Sequence, residues 1–228
     1  MSFKPALVIV DLQEDFCPPN GSLAVPGGRE IASKVNYLLS LPFALKIATK
    51  DFHPQDHISF ASNHPPPNNK PFESFFTIKN PLNPEETDTT RLWPDHCVQG
   101  TPGSELIPEL EVAKVHHIVE KGQDKRVEMY SAFADPFTNP TVSRSKLADV
   151  LHEAKISDVF VVGLATDYCV KFTAIDSAKE GFTTHVVGEA TNAVDPSSLD
   201  EVYKDFDKAG VSLVGMDSEA IKKVKELT

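Results

Sequence analysis

Apolar residues in this chain gather in short runs, and each run closes on glycine or polar residues. The runs cover residues 6–10, 44–49, 117–119, 158–163, 184–188 and 211–215. Aliphatic and β-branched runs without polar alternation predict strands buried on both faces. Between the runs the spacing turns helical. Ile31, Val35, Leu38 and Leu39 share one face, and so do Leu147, Val150 and Leu151. Ser198-Leu199-Asp200-Glu201 has the spacing of a capping box, which predicts Ser198 as N-cap and Glu201 at N3. The helix it opens carries Val202, Tyr203 and Phe206, and Gly210 suits its C′ position. Another helix is predicted from about Cys169 towards Lys179, with Gly181 near its end. A last one starts near Asp217 and runs through Ile221 and Val224.

Strands alternating with helices predict right-handed βαβ units. The fold class is therefore α/β: three layers, α/β/α, around a mostly parallel six-stranded sheet. A single domain over residues 1–228 is expected. One stretch, at about 61–91, breaks the rhythm. It is rich in Pro and Asn, with Pro65-Pro66-Pro67-Asn68-Asn69 near its head, and it shows no periodicity. It reads as an irregular insertion, of the kind that covers a functional site.

Composition narrows the classes. Hydrophobic residues make up 40% and charged residues 24%, enough apolar material for one sizeable core. The formal net charge is −11. Such a surface repels phosphate backbones and anionic lipids, which argues against nucleic-acid and membrane partners and says nothing positive about function. Oligomeric state is open, a homo-oligomer included. The three cysteines, Cys17, Cys97 and Cys169, form no disulfide framework. No signal peptide or apolar stretch of about 20 residues is apparent, so the expected compartment is the cytoplasm, with nuclear or peroxisomal presence left open.

In open parallel sheets, ligands bind beyond the carboxyl ends of the strands. The residues after successive runs are Asp11, then Asp51 and His53, then Lys121, then Thr166-Asp167-Tyr168-Cys169. Each alone reads most simply as a loop residue; four consecutive strand ends carrying a carboxylate, metal-type ligands, an amine and a thiol point to a site. Cys169 at a helix start is expected to have a lowered thiol pKa, helped by Lys121. Asp11 can take its proton and return it to a leaving amine, and backbone N–H groups at the turn can hold an oxyanion. Asp51 and His53 can point at one ion, and His96 can complete the set. One carboxylate and two imidazoles suit an open catalytic site for a divalent metal ion, Zn²⁺ first, with Fe²⁺ or Mn²⁺ as alternatives. His57, Ser59 and His64 are loop residues or supports for those ligands. Cys17 and Cys97 read as structural, since neither has a base and a helix start beside it.

Five stretches carry a resemblance to a known family. They are Val10-Asp11-Leu12-Gln13-Glu14-Asp15-Phe16, Thr49-Lys50-Asp51-Phe52-His53-Pro54, the segment from Leu92 through Trp93-Pro94-Asp95-His96-Cys97 to Thr101, Glu120-Lys121-Gly122, and Val162-Gly163-Leu164-Ala165-Thr166-Asp167-Tyr168-Cys169-Val170. In this order they resemble the nicotinamidase/pyrazinamidase branch of the isochorismatase-like cysteine hydrolases, and the long insertion is similar to the fungal type. The resemblance implies the isochorismatase-like hydrolase fold and a triad of Asp11, Lys121 and Cys169. It also implies a metal on Asp51, His53 and His96, with His57 reaching it directly or through water. A cis peptide before Ala165 is implied, with the N–H groups of Ala165 and Cys169 as oxyanion hole. Phe16, Trp93, Tyr130 and Tyr168 would line a slot for a flat ring whose nitrogen the metal holds. The implied reaction is deamidation of nicotinamide to nicotinic acid, with pyrazinamide also accepted and a place in NAD salvage. Three rival readings stand beside it. A related N-carbamoyl or ureido amidase would not need the metal set. A non-catalytic flavodoxin-like binding protein would not need an intact triad, and a thiol redox protein would need a second, resolving cysteine.

Overall fold

All six residues of Pro5–Val10 are buried, and their side chains alternate between two separate cores. Leu7 and Ile9 face one, while Ala6, Val8 and Val10 face the other, as the two-residue period of a strand requires. This strand is the spine of the computed structural model, which describes residues 3–227. In chain order the elements are β1 Pro5–Val10, α1 Ala32–Leu39, β2 Leu45–Asp51, β3 Phe75–Asn80, β4 Asn83–Arg91, β5 His117–Lys121, α2 Leu147–Glu153, β6 Asp158–Leu164, α3 Cys169–Lys179, β7 Thr183–Asn192, α4 Leu199–Ala209, β8 Ser212–Val214 and α5 Glu219–Lys225.

Six strands form one sheet in the order β5-β2-β1-β6-β7-β8, and every pairing in it is parallel. The expected six-stranded, three-layer α/β/α architecture is what the chain adopts. Residues of α1 and α5 pack with Leu7, Ile9, Phe160 and Val162 on one face. Residues of α2, α3 and α4 pack with Val8, Val159, Val161 and Val186 on the other. The chain builds outwards from β1 through β2 to β5, then crosses back to β6 on the other side of β1. The carboxyl ends of β1 and β6 therefore flank the point where the crossover direction reverses, and a crevice opens there.

Two expectations change. Residues 61–91 are not irregular throughout: β3 and β4 form an antiparallel hairpin. Most of its residues are exposed, so it needs no alternating apolar face, and its Thr-rich second strand carries no periodic signal. Ser198 stands at the N-cap position of α4, as expected, but does not cap it with its side chain. It has helical dihedrals, makes no capping hydrogen bond, and lies in a 3-10 turn, Pro196–Ser198, that leads into α4. The cap is Asp195, whose side chain accepts from Ser197 N–H, with Pro196 next in the first helical position. Gly210 does end α4 in the left-handed conformation, at φ 73°. The last helix begins at Glu219 under a Ser218 cap, near Asp217 as expected.

Candidate active site

Sheet register assembles the first part of the site. Asp51, last in β2, is paired directly with Lys121, last in β5. Asp11 follows β1 with φ 47°, a left-handed turn that Asp tolerates better than most residues. Its N–H donates to Thr49 Oγ1 at 3.2 Å, and Thr49 Oγ1 donates back to Asp11 Oδ1 at 2.6 Å. Cys169 is the first residue of α3, so its N–H has no acceptor within the helix. Lys121 Nζ joins these groups. It lies 3.0 Å from Asp11 Oδ2, 2.5 Å from Asp51 Oδ1 and 3.5 Å from Cys169 Sγ, and donates to Met129 O at 3.1 Å.

The charges in this buried cluster are set by one another. Burial opposes a charged lysine, but Asp11, Asp51 and Cys169 raise Lys121 well above its ordinary value. Burial also opposes ionisation of Asp51, yet Lys121 and His53 hold its carboxyl well below the usual carboxylate range. For Asp11 burial prevails over Lys121, and its pKa rises to about 6. The Cys169 thiol departs from the sequence expectation. Lys121 lowers its pKa, but burial, with the carboxylates of Asp11 and Asp51, raises it well above the ordinary thiol value. The helix N-terminus does not offset the loss of water around a fully enclosed sulfur. The resting arrangement is therefore a thiol beside a base rather than a preformed thiolate.

Asp51, His53 and His96 form a second group, with one potential ligand atom from each lying within 4.8 Å of the others. The segment 96–99 reaches this place by zipping onto residue 53: His53 N–H donates to Cys97 O, and Gln99 N–H to His53 O. Both rings are held by their far nitrogen, His53 Nδ1 at 2.8 Å from Gly122 O and His96 Nδ1 at 2.8 Å from Pro94 O. A carbonyl only accepts, so each Nδ1 carries the proton and each Nε2 can present a lone pair. His53 Nε2 is buried without a hydrogen-bond partner. Burial and the neighbouring His53 lower the His96 pKa to about 4, which keeps that ring neutral. For His53 burial pulls the other way from Asp51, and Asp51 prevails, so the pocket asks for a cation. These features fit a divalent metal ion, with ligand rings oriented by backbone carbonyls. Asp11, Asp51 and Cys169 are equally close together, but the Lys121 ammonium already fills their centre.

His57 packs against His53 with the rings tilted by 36° and their centroids 4.1 Å apart, but is not among the three clustered ligands. Its Nδ1 is 2.8 Å from Ser59 Oγ, and its Nε2 is buried without a partner. His64 sits at 2.6 Å from Ile58 O and packs on Phe76, away from the cluster. Cys97 and Cys17 are buried, and burial raises both thiols, Cys17 to about 12.

Above these groups lies one cavity lined by Phe16, Leu23, Asp51, Trp93, His96, Glu128, Tyr130, Ala165, Tyr168, Cys169 and Val194. All four aromatic residues expected in the slot are in its wall. Trp93 and Tyr168 meet edge to face at 4.8 Å. The Leu164–Ala165 peptide is cis, as the resemblance implied. Leu23, Val194 and Glu128 went unnoticed in the sequence because they lie in loops whose position only the fold decides. Val194 is brought in by Asp167, whose carboxylate accepts from Val194 N–H at 3.0 Å and Asp195 N–H at 2.9 Å. Glu128 is buried, and burial pushes its carboxyl pKa up. Gln13, part of a motif but given no role, braces Asp51: its side chain accepts from Asp51 N–H and donates to Asp51 O, both at 2.8 Å.

Comparison with known proteins gives the family and the fold. Residues 5–218 match the isochorismatase domain. A nicotinamidase from Acinetobacter baylyi is 39% identical, with 92% of this chain and 91% of that one aligned. The crystal structure of the yeast nicotinamidase bound to the inhibitor nicotinaldehyde superposes with a TM-score of 0.87 at 33% identity, covering 92% of this chain and 99% of that one. The pyrazinamidase of Pyrococcus horikoshii in complex with zinc gives 0.69 at 31% identity, over 93% and 99%. A thiol, a carboxylate and an amine gathered at the sheet's crossover, over a domain-length match to such relatives, place this chain in the isochorismatase family, among the nicotinamidases.

Proposed function

We propose that this chain is an amidase that converts nicotinamide into nicotinic acid and ammonia through a thioester on Cys169. The position of Lys121 Nζ carries the reading, since it touches Asp11, Asp51 and Cys169 within 3.0, 2.5 and 3.5 Å. One cation thereby couples a nucleophile and its base to the carboxylate of a metal-ligand set, below a single aromatic-walled slot. The names of the relatives support the substrate, and so does the pyridine-bearing inhibitor in the yeast structure.

The reaction follows from the protonation states. Asp11, near pKa 6, is ionised at neutral pH and accepts the Cys169 proton as sulfur attacks the carboxamide carbon. The C–S bond forms and the carbonyl electron pair moves to oxygen, where the N–H groups of Ala165 and Cys169 hold it. The C–N bond then breaks, and the leaving nitrogen takes the proton from Asp11 and departs as ammonia. In the second half a water passes a proton to Asp11 while its oxygen attacks the thioester. The C–S bond breaks, and Asp11 returns the proton to sulfur. Lys121 stays protonated throughout and keeps base and sulfur in register. Phe16, Trp93, Tyr130 and Tyr168 flank the ring and exclude water. Asp51, His53 and His96 would hold the divalent ion, zinc first and iron or manganese as alternatives, which supplies an anchor for the ring nitrogen. Pyrazinamide, with a ring of the same shape and size, fits the same reading, and the product acid would serve NAD salvage.

Cys169→Ala tests the nucleophile. Nicotinate formation is expected to vanish while metal content stays at the wild-type level. Turnover by the variant near the wild-type rate would remove Cys169 from its role.

A further inference from the structure

The β3–β4 hairpin brings no group to Cys169, Lys121 or the metal ligands, yet its last residues reach the back of the slot wall. Thr90, next to last in β4, is 2% exposed, and its Oγ1 lies 2.8 Å from Tyr130 Oη. Tyr130 Oη also accepts the indole N–H of Trp93 at 2.8 Å. An indole N–H only donates, so the phenol oxygen is the acceptor in that bond. Burial keeps the phenol neutral, and its own O–H is free for its other neighbour, Thr90. Thr90 Oγ1 in turn can donate to Arg91 O at 3.4 Å. The bonds thus link Trp93 to Tyr130, Tyr130 to Thr90, and Thr90 to the hairpin backbone. Trp93 and Tyr130 belong to loops that follow different strands, and both line the substrate cavity, whereas Thr90 does not.

We propose that Thr90 is a positioning residue: through Tyr130 Oη it fixes the tilt of the Tyr130 and Trp93 rings, and with it the width of the slot for a flat aromatic amide. The inserted hairpin is then the outer frame of the substrate site rather than a loose cover. The inference rests on the amidase reading for its ligand but not for its hydrogen-bond chain.

Thr90→Val keeps the shape and removes the hydroxyl, and Thr90→Ser keeps the hydroxyl. For Thr90→Val the nicotinamide KM is expected to rise roughly five-fold, the scale of one lost hydrogen bond, with kcat within about two-fold of wild type. Thr90→Ser is expected to match wild-type KM. Trp93 is the only tryptophan, so intrinsic fluorescence reads the wall in the ligand-free protein. Its emission is expected to shift in Thr90→Val and Tyr130→Phe but not in Thr90→Ser. A wild-type KM in Thr90→Val would overturn the proposal, and so would a Thr90→Ser variant as impaired as Thr90→Val. Wild-type protein without activity on nicotinamide would instead sink the amidase reading, leaving the emission shift as a separate test of the chain.

Discussion

Lys121 has a fully buried side chain, and so does Asp11, 3.0 Å away. Removing a charged pair from water is costly, and its persistence needs geometry that satisfies each charge. Here one ammonium answers two carboxylates and a thiol, and the surplus is visible in Asp11, whose pKa settles at about 6. That value gives a pH dependence with a definite sign. The base works only when ionised, so kcat/KM for nicotinamide is expected to fall as pH drops through about 6, with an acid limb assigned to one group. Asp11→Asn should remove the limb along with most of the rate, about 10²–10⁴-fold. An acid limb unchanged in the residual activity of that variant would assign the titration elsewhere. At this scale the sequence was legible for Asp11, Asp51, His53, Lys121 and Cys169, because each lies at or just beyond the carboxyl end of a strand. It was silent on Thr90 and Glu128, whose neighbours are remote in sequence. It also misjudged the Cys169 thiol, because burial cannot be read from the position of a helix start.

Elements place these residues through backbone contacts that leave little room. Gly122 follows β5 with φ 66°, and a Cβ there would stand 2.5 Å from His53 Cε1 and 2.8 Å from His53 Nδ1. The same glycine supplies the carbonyl that orients His53. Gly122→Ala is therefore expected to turn the His53 ring out of line and to lower metal content at least ten-fold, by the scale of a lost supporting contact, with the fold retained. Metal stoichiometry measured alongside circular dichroism reads both; wild-type metal content in a folded variant would refute the role given to Gly122. Gly163 shows the same tightness within the sheet, since a Cβ there would meet Val10 O at 2.1 Å. The inner strands β1, β2 and β6 were legible because burial on both faces writes continuous apolar runs, whereas the edge strands β5 and β8 carry such runs although they are largely exposed. The β3–β4 hairpin was not legible, because it packs little and needs no apolar face. The start of α4 at Leu199 was legible from the capping-box spacing, but the capping bond was not: Asp195, ahead of Pro196, makes it three residues before Ser198.

For the whole molecule, the strand order β5-β2-β1-β6-β7-β8 puts the crossover reversal between β1 and β6. Asp11 and Cys169 come from the two sides of that reversal, Lys121 and the metal ligands from the β2–β5 side, and the hairpin frames the opening. The apolar and polar pattern was enough to infer this layered sheet and which edge bears the chemistry. The four aromatic residues of the crevice wall were legible through the family resemblance, whereas Leu23, Glu128 and Val194 were not, since only the closed fold brings their loops together. The central claim is that triad, metal set and aromatic slot act as one amidase site. Ammonia release from nicotinamide by the purified protein, before chelation, after it, and with zinc restored, tests this most directly. Release is expected to disappear with the metal and to return with it. Undiminished release from fully metal-free protein, or none from metal-loaded protein, would contradict it.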